Sequence, residues 1–168
     1  TIQDSDLSLG AHAAPTIAET RTTNFGSNTT THNVNMPTTV NNNDLLIVFL
    51  YTDGTSTVTD PDGAGPFGCQ KLADVSATSV RGTVWAKEAD GSEDGGTVNF
   101  QTSSGEQGTA HVYRIAAGTW YEDYDDLSRS VAVESGSGGS TANPNPPELN
   151  PSAWDLENTL WLAFAAGS

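Results

Sequence analysis

Residues Leu45 to Tyr51 read LLIVFLY, an unbroken apolar and aromatic run between Asn41-Asn42-Asn43-Asp44 and Asp53-Gly54. The run is too short for a buried helix and is bounded by turn-forming residues, so it predicts a central β-strand covered on both faces. A chain with such a strand has to supply sheet neighbours on each side and apolar cover above and below. That requirement organises the rest of the sequence.

The remaining apolar residues recur at a period of two. His32, Val34 and Met36 share one side of Thr29–Met36, after a Thr-rich stretch from Pro15 to Phe25 and a turn at Gly26-Ser27-Asn28. Along Ser79–Lys87, Val80, Gly82, Val84 and Ala86 alternate with Arg81, Thr83, Trp85 and Lys87, which places Trp85 on the polar, exposed or interfacial side. An acidic connector over residues 89–96 leads to Val98 and Phe100. Gly105 to Gly108 turns the chain into Thr109–Ala116, where His111, Tyr113 and Ile115 alternate with Ala110, Val112 and Arg114. Further strands are expected at Ser128–Glu134 and Leu160–Ala165. Residues 53–68 read as a long loop or short hairpin and residues 135–153 as a loop by their Gly, Ser, Pro and Asn content.

The pattern gives about eight or nine short strands and no helix beyond a turn, which predicts an all-β antiparallel β-sandwich of jelly-roll or Greek-key type. Residues 1–14 have few apolar anchors and form an N-terminal arm, leaving 15–168 as the sandwich domain. Asn158-Thr159-Leu160-Trp161-Leu162-Ala163-Phe164 echoes Asn43-Asp44-Leu45-Leu46-Ile47-Val48-Phe49. A second central-type strand at the end of the chain needs neighbours on both edges, so either another chain covers it or the domain is incomplete at its C-terminus.

Charge narrows the function classes. There are 21 acidic and six basic side chains, a formal net charge of −15. Phosphate-backbone recognition needs clustered Lys and Arg, so nucleic acid is excluded as a partner, and anionic membrane is disfavoured. No run of apolar residues is long enough to span a bilayer. The single cysteine, Cys69, cannot form an internal disulfide and has only Lys71 as a near basic residue in sequence.

No motif announces a reaction. His12, His32 and His111 fit no compact metal spacing, and neither a GxSxG elbow nor a GxxxxGK[ST] phosphate loop occurs. The chain is therefore expected not to be an enzyme and to need no cofactor. Calcium is the one metal to consider: Asp90, Glu93 and Asp94 place hard oxygen donors in one loop, as do Asp60 with Asp62 and Asp123 with Asp125 and Asp126. None follows EF-hand spacing, and a solvated acidic turn is the ordinary role for such residues. Asn28-Thr29-Thr30 matches a glycosylation acceptor that matters only in a eukaryotic secretory route. Trp85, Trp120, Tyr121 and Tyr124 are candidates for a subunit interface or a sugar-stacking surface, both of which use exposed aromatic rings beside polar groups.

The segments Pro15-Thr16, Asn43 to Phe49, Gly65 to Leu72, Val84 to Ala89 and His111 to Ile115 together resemble a family of β-sandwich modules. Such modules recur in structural proteins of tailed phages and in some bacterial surface proteins. The likeness covers residues 15–168 and rests on strand and turn patterns; members commonly carry a Trp near the position of Phe67. It implies a capsid decoration or cement protein, or a tail surface component, located in the virion or otherwise extracellular. Its partners would be copies of itself or the major capsid or tail protein, with the arm tethering neighbours. The alternative is a carbohydrate-binding or adhesive module of a tail fibre or secreted bacterial protein, with a host-surface glycan as partner. That version requires Trp85 or Trp120 in a solvent-facing groove, and burial of both would exclude it.

Overall fold

The computed structural model describes residues 14–59, 68–120, 127, 130–136 and 159–166. The arm, up to residue 13, lies outside them. Six strands form one antiparallel sheet: β1 (Ile17–Asn35), β2 (Asn42–Thr52), β3 (Val58–Thr59), β4 (Gln70–Ala77), β5 (Val80–Asp90) and β6 (Thr97–Ile115). The order is β1-β6-β2-β5-β4, with β3 added alongside β6. There is no α-helix among the described residues.

The apolar run of β2 is central, hydrogen-bonded to β5 on one edge and β6 on the other. Its alternate residues feed two cores. Leu46, Val48 and Leu50 pack with Trp85, Ala89, Ala110 and Val112, under Val34, Met36, Val58, Val98 and Phe100. Leu45, Ile47 and Phe49 point the other way, toward Val84, Ala86, Ile115, Trp120 and Leu127. Full burial of each such side chain contributes about 1.5–3 kcal/mol, so both faces of β2 hold the sheet together.

The strand count differs from the sequence expectation for a physical reason. Gly26-Ser27-Asn28 and Gly105 to Gly108 do not reverse the chain. They lie opposite one another across the β1–β6 ladder, where Phe25 pairs with Gly108 and Thr29 with Glu106. Register shifts between Phe25 and Thr29, and again between Thr29 and Thr31, absorb them as bulges. Two expected pairs of short strands thereby become two long, bent ones. The bend carries the first half of β6 over the face that holds Trp85, and Phe100 meets that indole at 5.4 Å between ring centroids.

The expected strand at Ser128–Glu134 joins no ladder in its described part. Instead the Ser130 and Val131 amides donate to the Leu127 carbonyl, and Val131 and Val133 pack on the second core. Leu160–Ala165 is likewise not a central strand. It runs without ladder pairing, with Leu160, Leu162 and Phe164 packed on the second core and Trp161 and Ala163 exposed. An apolar run does not separate one covered face from two when its outward residues are themselves apolar.

Candidate functional site

Trp85 is 2% exposed and Trp120 is 3% exposed, so neither ring is available for stacking on a sugar. The Trp85 indole N–H donates to Thr83 Oγ1 at 2.9 Å, and the Thr83 hydroxyl donates to the Leu50 carbonyl at 3.3 Å. The Lys71 ammonium lies 4.9 Å from the centre of the Trp85 ring. The sequence reading put Trp85 on an outer face because Arg81 and Lys87 share its parity. Both faces of β5 are covered, so parity marks no outside here. Trp120 closes the second core, and its indole N–H donates to the Asn43 carbonyl at 3.0 Å. Asn43 has φ of 67°, a left-handed conformation that Asn tolerates and that turns this carbonyl out of the β2 ladder. Tyr121 and Tyr124 lie outside the described residues.

The calcium candidates do not converge. Asp94 Oδ1 accepts the Val40 amide at 2.6 Å, fixing the connector against the β1–β2 link. Asp90 Oδ1 accepts the Ser92 amide at 2.8 Å, and hydrogen bonds from the Ser92 hydroxyl and amide hold the Asp90 carboxyl below its ordinary range. Glu93 is 2% exposed and ion-pairs with Lys87, itself 6% exposed; Asp90 Oδ2 is 3.9 Å from the same ammonium. A lysine ammonium thus supplies the cation that these carboxylates face. Among the described residues no group of His, Cys, Asp and Glu is arranged to hold a metal ion. The other two candidate clusters, at Asp60 and Asp62 and at 123–126, lie outside the described residues.

A polar cluster that the motifs did not flag lies where β1 and β6 bend. His32 is fully buried, edge-on to Phe25 at 4.8 Å. Its Nε2 is 3.1 Å from Thr102 Oγ1, whose own hydrogen is donated to the Ser104 carbonyl at 2.8 Å. The Thr102 hydroxyl also lies 3.4 Å from the Thr29 carbonyl, and His32 Nδ1 has no hydrogen-bond partner among the described residues. Burial lowers the His32 pKa, and the nearby Glu106 charge opposes that only partly. Glu106 in turn accepts from the Ser56 and Ser104 hydroxyls. Sequence gave no cue to this cluster, because His, Thr, Ser and Glu at spacings set by two bulges form no local motif. His111 is separate, with Nδ1 3.0 Å from Thr22 Oγ1 and its ring 6.0 Å from that of Phe164.

The exposed counterpart to these buried groups is Trp161. It is 60% exposed, and among the described residues only Ile17, at 40%, is another exposed large hydrophobe. Its indole N–H donates to Thr159 Oγ1 at 3.0 Å. Leu160 and Leu162 on either side are seated in the second core, so the backbone that carries Trp161 is anchored while the ring faces outward. Sequence alternation contained this, but the apolar residues on both sides of the run suggested two-sided burial.

Compared with protein-family models, with curated proteins and with solved structures, the chain matches none.

Proposed function

We propose that this chain is a β-sandwich structural module of a virus particle, a capsid decoration or tail surface component that stabilises the particle through contacts with copies of itself or with the major capsid or tail protein. In this reading the half of the bent β1–β6 ribbon over 29–35 and 97–106, with β3, is one layer of a Greek-key or jelly-roll sandwich, and the other half of the ribbon with β2, β5 and β4 is the second. The observation that carries the proposal is Trp161: a large aromatic ring held outward on an anchored extended segment has the character of an interface anchor. The resemblance of the strand pattern to tailed-phage structural modules supports the setting. The high negative charge suits a surface that stays soluble until it meets a complementary one.

The glycan-binding alternative loses its platform with the burial of Trp85 and Trp120. Cryo-microscopy of particles from the native source tests the assembly reading. The expected result is density for this chain at symmetry-related positions, with Trp161 in a chain–chain contact. A chain absent from particles and monodisperse as a monomer by light scattering would overturn it.

A further inference from the structure

We propose that Lys87 and Glu93 are joined by an amide bond between the lysine side-chain nitrogen and Cδ of the glutamate. Three features of the site carry this. The two groups are in direct contact, with the Lys87 side chain 8% exposed and the Glu93 side chain fully buried. Both Glu93 carboxylate oxygens are buried without a well-aligned hydrogen-bond donor, and the groups beside them are the Lys87 ammonium and the Asp90 carboxyl. Asp90 places a second carboxylate oxygen 3.9 Å from the same nitrogen and is more than half exposed, so only one side chain separates the buried pair from water.

The surroundings favour the condensation over the ion pair. Met36, Leu46, Val48, Trp85 and Val98 line a void of about 10 Å³ beside Lys87 and Glu93, close to the space one water needs. Two charges held in such a setting carry a desolvation cost that their attraction offsets only in part, and a neutral amide carries none of it. The step balances within the site. Within the direct contact the ammonium passes one proton to the Glu93 carboxylate, giving an amine and a carboxylic acid, and the freed nitrogen lone pair attacks Cδ of Glu93. The amine and carboxyl hydrogens then leave with one carboxyl oxygen as water. A lysine –NH3+ and a glutamate –COO− become –NH–CO– plus one water, with no oxidant, reductant or activating group. The ring so closed is short, so its effect on the unfolded chain is small. Its effect in the folded state is to fix the β5–β6 connector to β5.

Mass spectrometry of the purified, denatured full chain tests this directly. The expected mass is one water below the sequence mass. Trypsin, which cuts after Lys and Arg, should release one dehydrated peptide running from Gly82 to Arg114, because an acylated Lys87 is not cut. Imide formation at Asp90-Gly91 or Asp94-Gly95 would also lose a water, but it opens in mild base, persists in Lys87→Arg and leaves Lys87 cleavable. The amide survives mild base and is absent from both Lys87→Arg and Glu93→Ala. A wild-type chain at full sequence mass that is cut after Lys87 overturns the proposal without any variant having to fold.

Discussion

Asp44 and Arg114 bind across the β2–β6 ladder, with the guanidinium Nη1 2.8 Å from Asp44 Oδ2 and only 1% of Asp44 exposed. The same carboxylate accepts the Asn41 amide at 2.7 Å and the Ala117 amide at 2.9 Å. One side chain thereby ties the entry of the central strand to the exit of β6. Burial alone would push its carboxyl up; the hydrogen bonds from Arg114, Asn41 and Ala117 outweigh burial and hold it below the ordinary value.

Asp44→Ala is expected to destabilise the fold by about 3–5 kcal/mol, because it leaves a half-buried guanidinium uncompensated and two amides without acceptors. Urea unfolding at neutral pH measures this. The wild-type contribution is present above the unfolded carboxylate value and is lost as pH falls through the lower folded value. The wild type should therefore lose more stability than Asp44→Ala on acidification below about pH 4.

His32 predicts a second dependence, of opposite chemical type. Its folded pKa is lowered, so at mildly acid pH the unfolded chain binds a proton that the folded chain does not. Stability should be fully expressed above the unfolded histidine value and fall as pH drops below about 6.5, where the carboxylates do not yet titrate. Unfolding followed at about pH 7.5 and about pH 5.5 should show this slope in the wild type and a reduced slope in His32→Gln. An unchanged slope would mean that His32 does not titrate differently in the two states.

Gly108 faces the backbone of β2 so closely that an added methyl would overlap the Tyr51 carbonyl oxygen. Since that atom belongs to the central strand and cannot swing aside, Gly108→Ala should cost about 1–3 kcal/mol or more. Gly82, on β5, has open space at the same position. Thermal unfolding of Gly108→Ala and Gly82→Ala should separate the two, with the second close to wild type.

The two tryptophans on opposite sides of the burial divide should respond differently. Trp85→Ala removes a core ring that contacts Phe100 and should cost about 3–5 kcal/mol. Trp161→Ala should change monomer stability by no more than about 0.5 kcal/mol while weakening incorporation into particles. Incorporation unchanged in Trp161→Ala would remove this ring from any proposed contact.

The legible part of the fold was whatever a period of two or an unbroken apolar run can encode. Leu45–Tyr51 announced a central strand with two covered faces, and the structure has it. The turn signals at residues 26–28 and 105–108 were misread because a Gly-rich stretch looks the same whether it reverses a chain or lets two paired strands bend together. Only their juxtaposition across the ladder, as in Phe25 opposite Gly108, decides between these, and that is a property of pairing rather than of either segment. The candidate sites were less legible. Trp85 was assigned outward by the parity of Arg81 and Lys87, yet Lys87 is itself buried, ion-paired with Glu93 from a loop that composition alone reads as solvated. Likewise, the partners of His32 come from across the ladder, and no spacing along the chain indicates them.

The strand order has a consequence for how the chain is made. Among the described residues β1 pairs with β6, and β2 with β5 and β6, so every described ladder partner of the first two strands is synthesised after them. The β4–β5 hairpin can close locally as it emerges from the ribosome, whereas LLIVFLY stays unpaired until β5 has been made and keeps its β6 edge open until Ile115. Until then the nascent chain presents its most apolar segment with at least one edge open, the kind of segment that chaperones bind and that aggregates when they do not.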